Sequence, residues 1–267
     1  HIPTIYVPHA AIPIIDELIS NSDIKLYALG GEMDKNYYIL RGIPEEQIQV
    51  VGIPRYEQLY TSNINKLSSI KDHFDEKIYN FSNKKFPILL TTNPIDDASN
   101  EKIISFVSKS LKDLNLIKNL IIKLHPNENG LLHQNILKKL NINPIIVKDY
   151  SILRLIKSCN LLISQKSTTL LEAMIVGTPM ILLDFINRDF RETSRYDFLN
   201  EELIISVKNE KQLTETVKDL FSNPTYCEKY TERLREYASK FSFFDYSQTP
   251  TQKIVQMILD YLKLGET

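Results

Sequence analysis

The chain has 267 residues, and at roughly 150 residues per domain this length favours two domains over one. Its 32 basic and 33 acidic residues leave a formal net charge of −1, which argues against a dedicated nucleic-acid-binding protein, because such proteins carry a basic excess. Hydrophobic residues make up 43% of the chain, so a globular protein with a real core is expected. No apolar run approaches the roughly 20 residues that span a bilayer, and this predicts a soluble protein.

The two cysteines, Cys159 and Cys227, have no second cysteine or histidine at metal-ligand spacing. A disulfide framework and a zinc site are therefore unexpected, and a reducing, cytoplasmic setting fits best. The chain enters a strand-like run directly after His1-Ile2-Pro3, without a methionine. This start suggests a fragment of a longer protein.

The first 82 residues alternate short apolar strands with helices. Strands are predicted at 4–7, 24–29 and 48–51, and helices at 10–20 and 32–40. From Leu59 to Lys85 the chain is polar and rich in Ser, Asn and Lys, which indicates a surface helix and a connector between domains. Residues 1–82 are therefore interpreted as the first domain.

The alternation resumes after the connector. Strands are predicted at 86–90, 120–124, 144–147, 161–164, 180–184 and 204–207, and helices at 100–114, 131–140, 151–158, 168–176 and from 210 onward. Short apolar strands that alternate with helices predict parallel sheets covered on both faces. The fold class is therefore α/β and doubly wound, with a second domain at 83–240 and a helical segment at 241–267.

Ligands of open parallel sheets bind outside the carboxyl ends of the strands, so the residues that follow each strand are the candidates. The richest such segment is Ser164-Gln165-Lys166-Ser167-Thr168-Thr169, between a strand and a helix. Free N–H groups and the helix dipole favour an anion there, and Lys166 adds a positive charge. Glu172, about one turn into the helix, could accept from ribose hydroxyls. Ordinary helix capping by Ser167 or Thr168 is the alternative.

Two histidines also follow predicted strands. His125, in Lys123-Leu124-His125-Pro126, could donate to a phosphate oxygen or transfer a proton. His9 could act as a general base, because the unperturbed pKa of histidine is about 6.5. For both residues the alternative is a surface or strand-end histidine that only makes hydrogen bonds.

Further strand-end positions are the turns Gly30-Gly31 and Gly52 to Arg55 and the segment Thr91-Thr92-Asn93. Arg55 could reach a diphosphate across a cleft, or could be a solvated surface residue. The sequence contains no GxGxxG, Walker A, HExxH or GxSxG motif. With only seven glycines, the chain lacks the usual Gly-rich loop for NAD or ATP.

Three segments taken in order, Gln47 to Leu59, Lys123 to Pro126 and Ser164 to Pro179, resemble GT-B-fold transferases of bacterial surface polysaccharides. That group includes the capsule sialyl- and Kdo-type transferases, the CDP-glycerol glycerophosphotransferases and the related UDP-N-acetylglucosamine 2-epimerases. The resemblance covers most of the chain from Ile24 to about Leu220. It implies a GT-B-like fold of two Rossmann-like domains, of which the N-terminal, acceptor-side domain is truncated.

The resemblance also implies a nucleotide-activated sugar donor, linked to CMP, CDP or UDP and bound mainly by the C-terminal domain. By similarity, His125 and the Ser164 to Thr169 turn would hold the donor phosphates, and Glu172 would meet the ribose. His9 matches a candidate base of the glycerophosphotransferases, although Ala10 stands where that group has glycine. The remaining candidates are Arg55 for the phosphates and Thr92, Asn93 and Lys123 for the nucleoside.

The leading hypothesis is a metal-independent glycosyltransferase that moves a sugar from a nucleotide donor to a surface polysaccharide or other glycan. A CDP-glycerol-type polyol-phosphate transferase and an NDP-sugar 2-epimerase are alternatives, although the chain has Ser164-Gln165-Lys166-Ser167 where the epimerases have a Ser-Gly-Gly-type turn. A non-catalytic nucleotide-sugar-binding module is a further alternative. The expected partners are the donor, used as a substrate with no other cofactor, and a glycan or lipid-linked acceptor. A lipid-linked acceptor would bring this cytoplasmic protein to the inner face of the membrane.

Overall fold

The computed structural model of the protein describes residues 4–8, 23–61, 86–185 and 202–264. Within these ranges every strand pairs in parallel with its neighbours, which confirms the predicted α/β class. The helix predicted at 10–20 and the domain boundary predicted at residue 82 lie outside the described residues.

The elements follow the predicted alternation. The strands are β1 Thr4–Tyr6, β2 Ile24–Leu29, β3 Ile48–Val50, β4 Ile88–Thr91, β5 Leu120–Lys123, β6 Ile145–Val147, β7 Leu161–Ser164, β8 Met180–Leu183 and β9 Ser206–Val207. The α-helices are α1 Glu32–Leu40, α2 Glu57–Thr61, α3 Asp97–Asp113, α4 Leu131–Lys139, α5 Ile152–Ser158, α6 Thr169–Val176, α7 Glu210–Ser222, α8 Pro224–Ala238 and α9 Pro250–Leu264. Short 3₁₀ turns occupy Glu45–Gln47, Pro54–Tyr56 and Ile117–Asn119.

Side-chain caps explain where several helices begin. Helix α3 begins at Asp97 rather than at the predicted Asn100, because the Asp96 carboxylate accepts a hydrogen bond from the Ser99 N–H at 2.9 Å. Asn209 caps α7 in the same way, accepting from the Gln212 N–H at 2.9 Å. Each cap satisfies a backbone donor that the first helical turn leaves without an intrahelical partner.

The described residues form two compact units. The first unit contains the described residues up to 61 together with 235–264, and the second contains 86–185 and 202–234. The C-terminal residues, interpreted from the sequence as a separate segment at 241–267, are thus grouped with the first unit.

A three-stranded parallel sheet in the order β1-β2-β3 forms the centre of the first unit. Neighbouring residues of a strand point to opposite faces, so Tyr27 packs with Tyr38 of α1 while Ala28 packs on the other side. There Ala28 meets Ile254 and Met257 of α9. The last helix therefore covers one face of the N-terminal sheet, which the alternation pattern alone does not indicate.

The C-terminal segment Lys240–Phe243 lies against the turns that follow β2 and β3. The Phe243 N–H donates to the Gly30 carbonyl at 2.7 Å, and the Met33 N–H donates to the Lys240 carbonyl at 3.0 Å. A methyl group at Gly31 would overlap the backbone of this segment, and so would one at Gly52. The sequence pattern made these glycine turns candidate ligand positions. In the structure they pack against the C-terminal segment of the same chain.

Asp34 is a buried carboxyl group in the first turn of α1. Burial raises its pKa from the ordinary 3.8 to about 7, although backbone hydrogen bonds from Gly30 and Gly31 act in the opposite direction. The folded protein therefore holds a proton on Asp34 at pH values where the unfolded chain has released it.

This pKa shift predicts how stability depends on pH. A raised native pKa stabilises the fold fully below about pH 4, and that contribution is lost as the pH rises toward about 7. We expect Asp34→Asn, which stays neutral, to remove this slope and to be more stable than the wild type at pH 8 by on the order of 2 to 4 kcal/mol. Urea unfolding followed by tyrosine fluorescence at pH 4 and pH 8 measures the difference. The exposed Glu46→Gln variant is the control, and a slope that survives in Asp34→Asn contradicts the prediction.

A six-stranded parallel sheet in the order β6-β5-β4-β7-β8-β9 forms the second unit. Every residue of β4, β5, β7 and β8 is buried, as expected for a sheet with helices on both faces. Helix α3 contacts α4 and α7, and α5 contacts α6. This is the strand order of the Rossmann fold, with β4 and β7 as the two central strands.

Of the helices in the described ranges, none is long and apolar enough to cross a membrane.

Candidate functional site

The chain reverses its direction of travel across the second sheet between β4 and β7. It proceeds from β4 outward to β5 and β6, returns to β7 on the other side of β4, and continues to β8 and β9. In open α/β sheets the crevice at such a switch point, outside the carboxyl ends of the strands, is where ligands bind. The segments that follow β4, β5 and β7 meet at this edge of the sheet.

Hydrogen bonds join the segment after β4 to the segment after β7. The Thr91 hydroxyl donates to Ser164 Oγ at 2.6 Å, and Ser164 Oγ lies 3.3 Å from Thr169 Oγ1. Asn93 Nδ2 donates to Gln165 Oε1 at 3.4 Å. Because these side chains are anchored to one another, the walls of the crevice hold a defined geometry.

Helix α6 points its N-terminus toward this edge. Thr168 is the N-cap residue, and its side chain makes no capping hydrogen bond, while Ser167 Oγ accepts from the Thr169 N–H at 3.3 Å. Ser167 and Thr168 are half-buried and Lys166 is exposed. A helix N-terminus with adjacent hydroxyls and an ammonium group favours a bound anion such as a phosphate.

His125 lies in a tight turn directly after β5. Its Nδ1 accepts a hydrogen bond from the Asn127 backbone N–H at 3.2 Å. An acceptor nitrogen carries no proton, so the neutral imidazole must carry its proton on Nε2. The half-buried side chain therefore offers Nε2–H as a hydrogen-bond donor, which suits contact with a phosphate oxygen.

The carboxylate of Glu128 is buried behind this turn, a feature that the sequence reasoning missed. Its Oε2 accepts from Thr92 Oγ1 at 2.6 Å and from the His125 N–H at 2.7 Å. Its Oε1 accepts from Asn100 Nδ2 at 3.3 Å and lies 3.3 Å from His133 Nε2. Burial by itself would raise the pKa of Glu128, but the contacts with His133, Thr92 and His125 outweigh it and lower the pKa. The group is therefore ionised at neutral pH.

The other candidate residues differ in how they are placed. Lys123 is buried, its Nζ donates to the Leu124 carbonyl at 2.8 Å, and burial lowers its pKa. Glu172 is buried in α6. Arg55 lies exposed on a 3₁₀ turn of the first unit. His9 lies outside the described residues.

No protein-family model matches the chain, and no curated protein matches it either. Solved structures do share its fold. A UDP-GlcNAc 2-epimerase from Neisseria meningitidis, bound to UDP-GlcNAc, superimposes with a TM-score of 0.66 at 16% identity, covering 97% of this chain and 70% of the epimerase. HepE from Anabaena, in complex with UDP and glucose, gives 0.52 at 13% identity, with 98% and 71% covered.

The wall teichoic acid polymerase TagF, in a variant soaked with CDPG, gives a TM-score of 0.60 at 17% identity over 92% of this chain. The chain spans 58% of that TagF structure. These similarities confirm the GT-B-like fold that the sequence resemblance implied. The neighbours include 2-epimerases, which that resemblance named, and a wall teichoic acid polymerase with CDPG, which matches the CDP-glycerol transferases that it also named.

Proposed function

We propose that the protein is a glycosyltransferase that takes a nucleotide-activated sugar as its donor and passes the sugar to a glycan acceptor. The observation that carries the proposal is the set of donors at the carboxyl edge of the second sheet: His125 Nε2–H after β5, and Lys166, Ser167 and Thr168 after β7. Strands β5 and β7 are separated only by β4, so their ends lie about 10 Å apart. A sugar diphosphate can span that distance.

These hydrogen-bond donors and the Lys166 ammonium provide the positive charge that stabilises a departing nucleotide phosphate. When the acceptor hydroxyl attacks the anomeric carbon, the bond from that carbon to the phosphate oxygen breaks, and negative charge develops on the leaving phosphate. His125 Nε2–H, the α6 N-terminus and the Lys166 ammonium stabilise this charge, so the proposed step needs no metal ion. The acceptor proton passes to a base, for which His9 is the proposed residue.

The nucleoside would lie deeper along the same edge. Asn93, half-buried beside Gln165, and Glu172, within α6, are the proposed contacts. Thr92 and Lys123, also candidates, instead bond to Glu128 and to the Leu124 carbonyl. Their proposed contribution is to shape the floor of the site.

An NDP-sugar 2-epimerase is the second candidate, and the Neisseria meningitidis structure with bound UDP-GlcNAc is the observation that favours it. An epimerase needs no acceptor, because it changes the configuration of the sugar itself. Acceptor dependence therefore separates the two candidates.

The deciding experiment follows the sugar by NMR. The protein is incubated with UDP-GlcNAc and with CDP- and CMP-linked sugars, first alone and then with a glycan acceptor. Sugar transfer that requires the acceptor is the expected result. An epimerised sugar formed without acceptor establishes the second candidate, and no turnover under either condition contradicts both.

A further inference from the structure

We infer that Glu128 is the positioning residue of the proposed site, and that it acts by holding the His125 imidazole in its Nε2–H donor form. This inference rests on the proposed function, because it concerns the group assigned to the donor phosphates. Glu128 is not proposed to contact the nucleotide; its role is to position His125, which does.

Glu128 makes two hydrogen bonds with the backbone of His125, and together they close the turn after β5. Its own N–H donates to the His125 carbonyl at 3.0 Å, while its carboxylate accepts from the His125 N–H at 2.7 Å. Inside this closed turn the Asn127 N–H donates to His125 Nδ1 at 3.2 Å. The contact that determines the tautomer of His125 therefore depends on a turn that Glu128 holds.

The same carboxylate attaches the turn to the rest of the unit. Thr92 after β4, Asn100 on α3 and His133 on α4 all approach it at 2.6 to 3.3 Å. The Thr92 hydroxyl, the His125 N–H and the Asn100 amide fill three of the roughly four acceptor positions of the carboxylate, and His133 Nε2 lies beside Oε1. One buried group thus connects the segments after β4 and β5 to two helices.

An amide satisfies only part of this network. The His125 backbone N–H donates to Oε2, and the Asn100 amide donates to Oε1. In one orientation of Glu128→Gln, the NH₂ group faces the His125 N–H, which then loses its acceptor. In the other orientation it faces the Asn100 amide, which keeps only its longer contacts with the Asn93 and Ile95 carbonyls at 3.5 Å. Either loss weakens the buried network, so the turn is expected to loosen.

The first arm of the test uses the protein without nucleotide. Nitrogen NMR of ¹⁵N-histidine-labelled protein distinguishes the two imidazole tautomers, and His125→Ala identifies the signals among the five histidines. We expect a pure Nε2–H form in the wild type and in the Glu101→Gln control, and a mixture of tautomers in Glu128→Gln. Unchanged His125 signals in Glu128→Gln overturn the inference. This arm is independent of the proposed function, which fails separately if no nucleotide binds the wild type.

The second arm is a double-mutant cycle on affinity for UDP, CDP or CMP, whichever binds the wild type most tightly. Glu128→Gln is expected to weaken binding about tenfold, within the range found for members of one hydrogen-bond network, and to have little effect when His125 is already alanine. Equal losses in both backgrounds overturn the inference. If Glu128→Gln does not fold, Glu128→Asp, which keeps the charge with a shorter reach, enters the same cycle, and a partial loss through His125 is expected.

Discussion

A His125→Ala protein is expected to lose about 10²- to 10³-fold in kcat for sugar transfer, the usual effect of removing one donor that stabilises developing charge. The structure gives the physical reason: His125 Nδ1 is occupied by the Asn127 N–H at 3.2 Å, so Nε2–H is the donor that is left to contact the phosphate. Alanine removes that donor without disturbing the backbone bond from residue 125 to Glu128. Steady-state kinetics with the preferred sugar nucleotide measures the loss.

Asn127→Ala is the matched control for this prediction. The side chain of Asn127 is exposed, and the contact with His125 comes from its backbone N–H, which alanine retains. The control should keep wild-type kcat. If His125→Ala also keeps it, the assignment of His125 to the leaving phosphate is wrong.

Gly52→Ala is expected to destabilise the first unit strongly. Gly52 has φ = 91°, a conformation that costs a residue with a side chain about 1 to 3 kcal/mol. The added methyl group would also overlap the Phe243 carbonyl oxygen and contact the Pro250 ring. Overlap with backbone cannot be relieved by a rotamer change, so a total loss of about 3 kcal/mol or more in the free energy of unfolding is expected. Urea unfolding followed by tyrosine fluorescence measures it.

Gly42→Ala separates the two contributions. Gly42 has nearly the same φ, 88°, but a methyl group there would meet nothing within 4 Å. It should show the conformational cost alone, and the additional loss in Gly52→Ala is then the overlap with the C-terminal segment. Equal losses in the two variants would show that Lys240–Phe243 does not pack against Gly52.

The sequence was most informative where apolar strands end in polar residues. Strands β2 and β7 and helix α1 occur where the sequence predicts them, because a short apolar run followed by a turn or a capping residue is a local signal. The order of the strands within a sheet is not local. Only the structure shows that β4 and β7 are neighbours, and therefore that Thr91 and Ser164 share a hydrogen bond.

Glu128 shows why part of the site was not predictable. Its partners Thr92, Asn100 and His133 lie on three different elements, and which of them reach it depends on the strand order. The signal that was present is its spacing from His125: an acidic residue three positions on can reach back to the N–H of the residue that opens a turn. That spacing alone does not distinguish a buried carboxylate from a solvated one.

The glycine turns after β2 and β3 carry a clear sequence signal, but that signal has two possible meanings. Glycine at a strand end allows close approach of a ligand or of another piece of backbone, and the sequence pattern is the same for both. Here Gly31 and Gly52 accommodate Lys240–Phe243, a segment roughly 200 residues further along the chain. Packing between such distant segments leaves no periodic signal in the sequence.

A calorimetric titration that compares UDP and CDP with uridine and cytidine tests most directly whether the carboxyl edge of the second sheet binds a nucleotide through its phosphates. Hydrogen bonds to charged groups contribute about 1.5 to 3 kcal/mol, so a diphosphate should bind at least about tenfold more tightly than its nucleoside. Phosphate-mediated binding at this edge is contradicted if a nucleoside binds as tightly as its diphosphate, or if none of the four compounds binds.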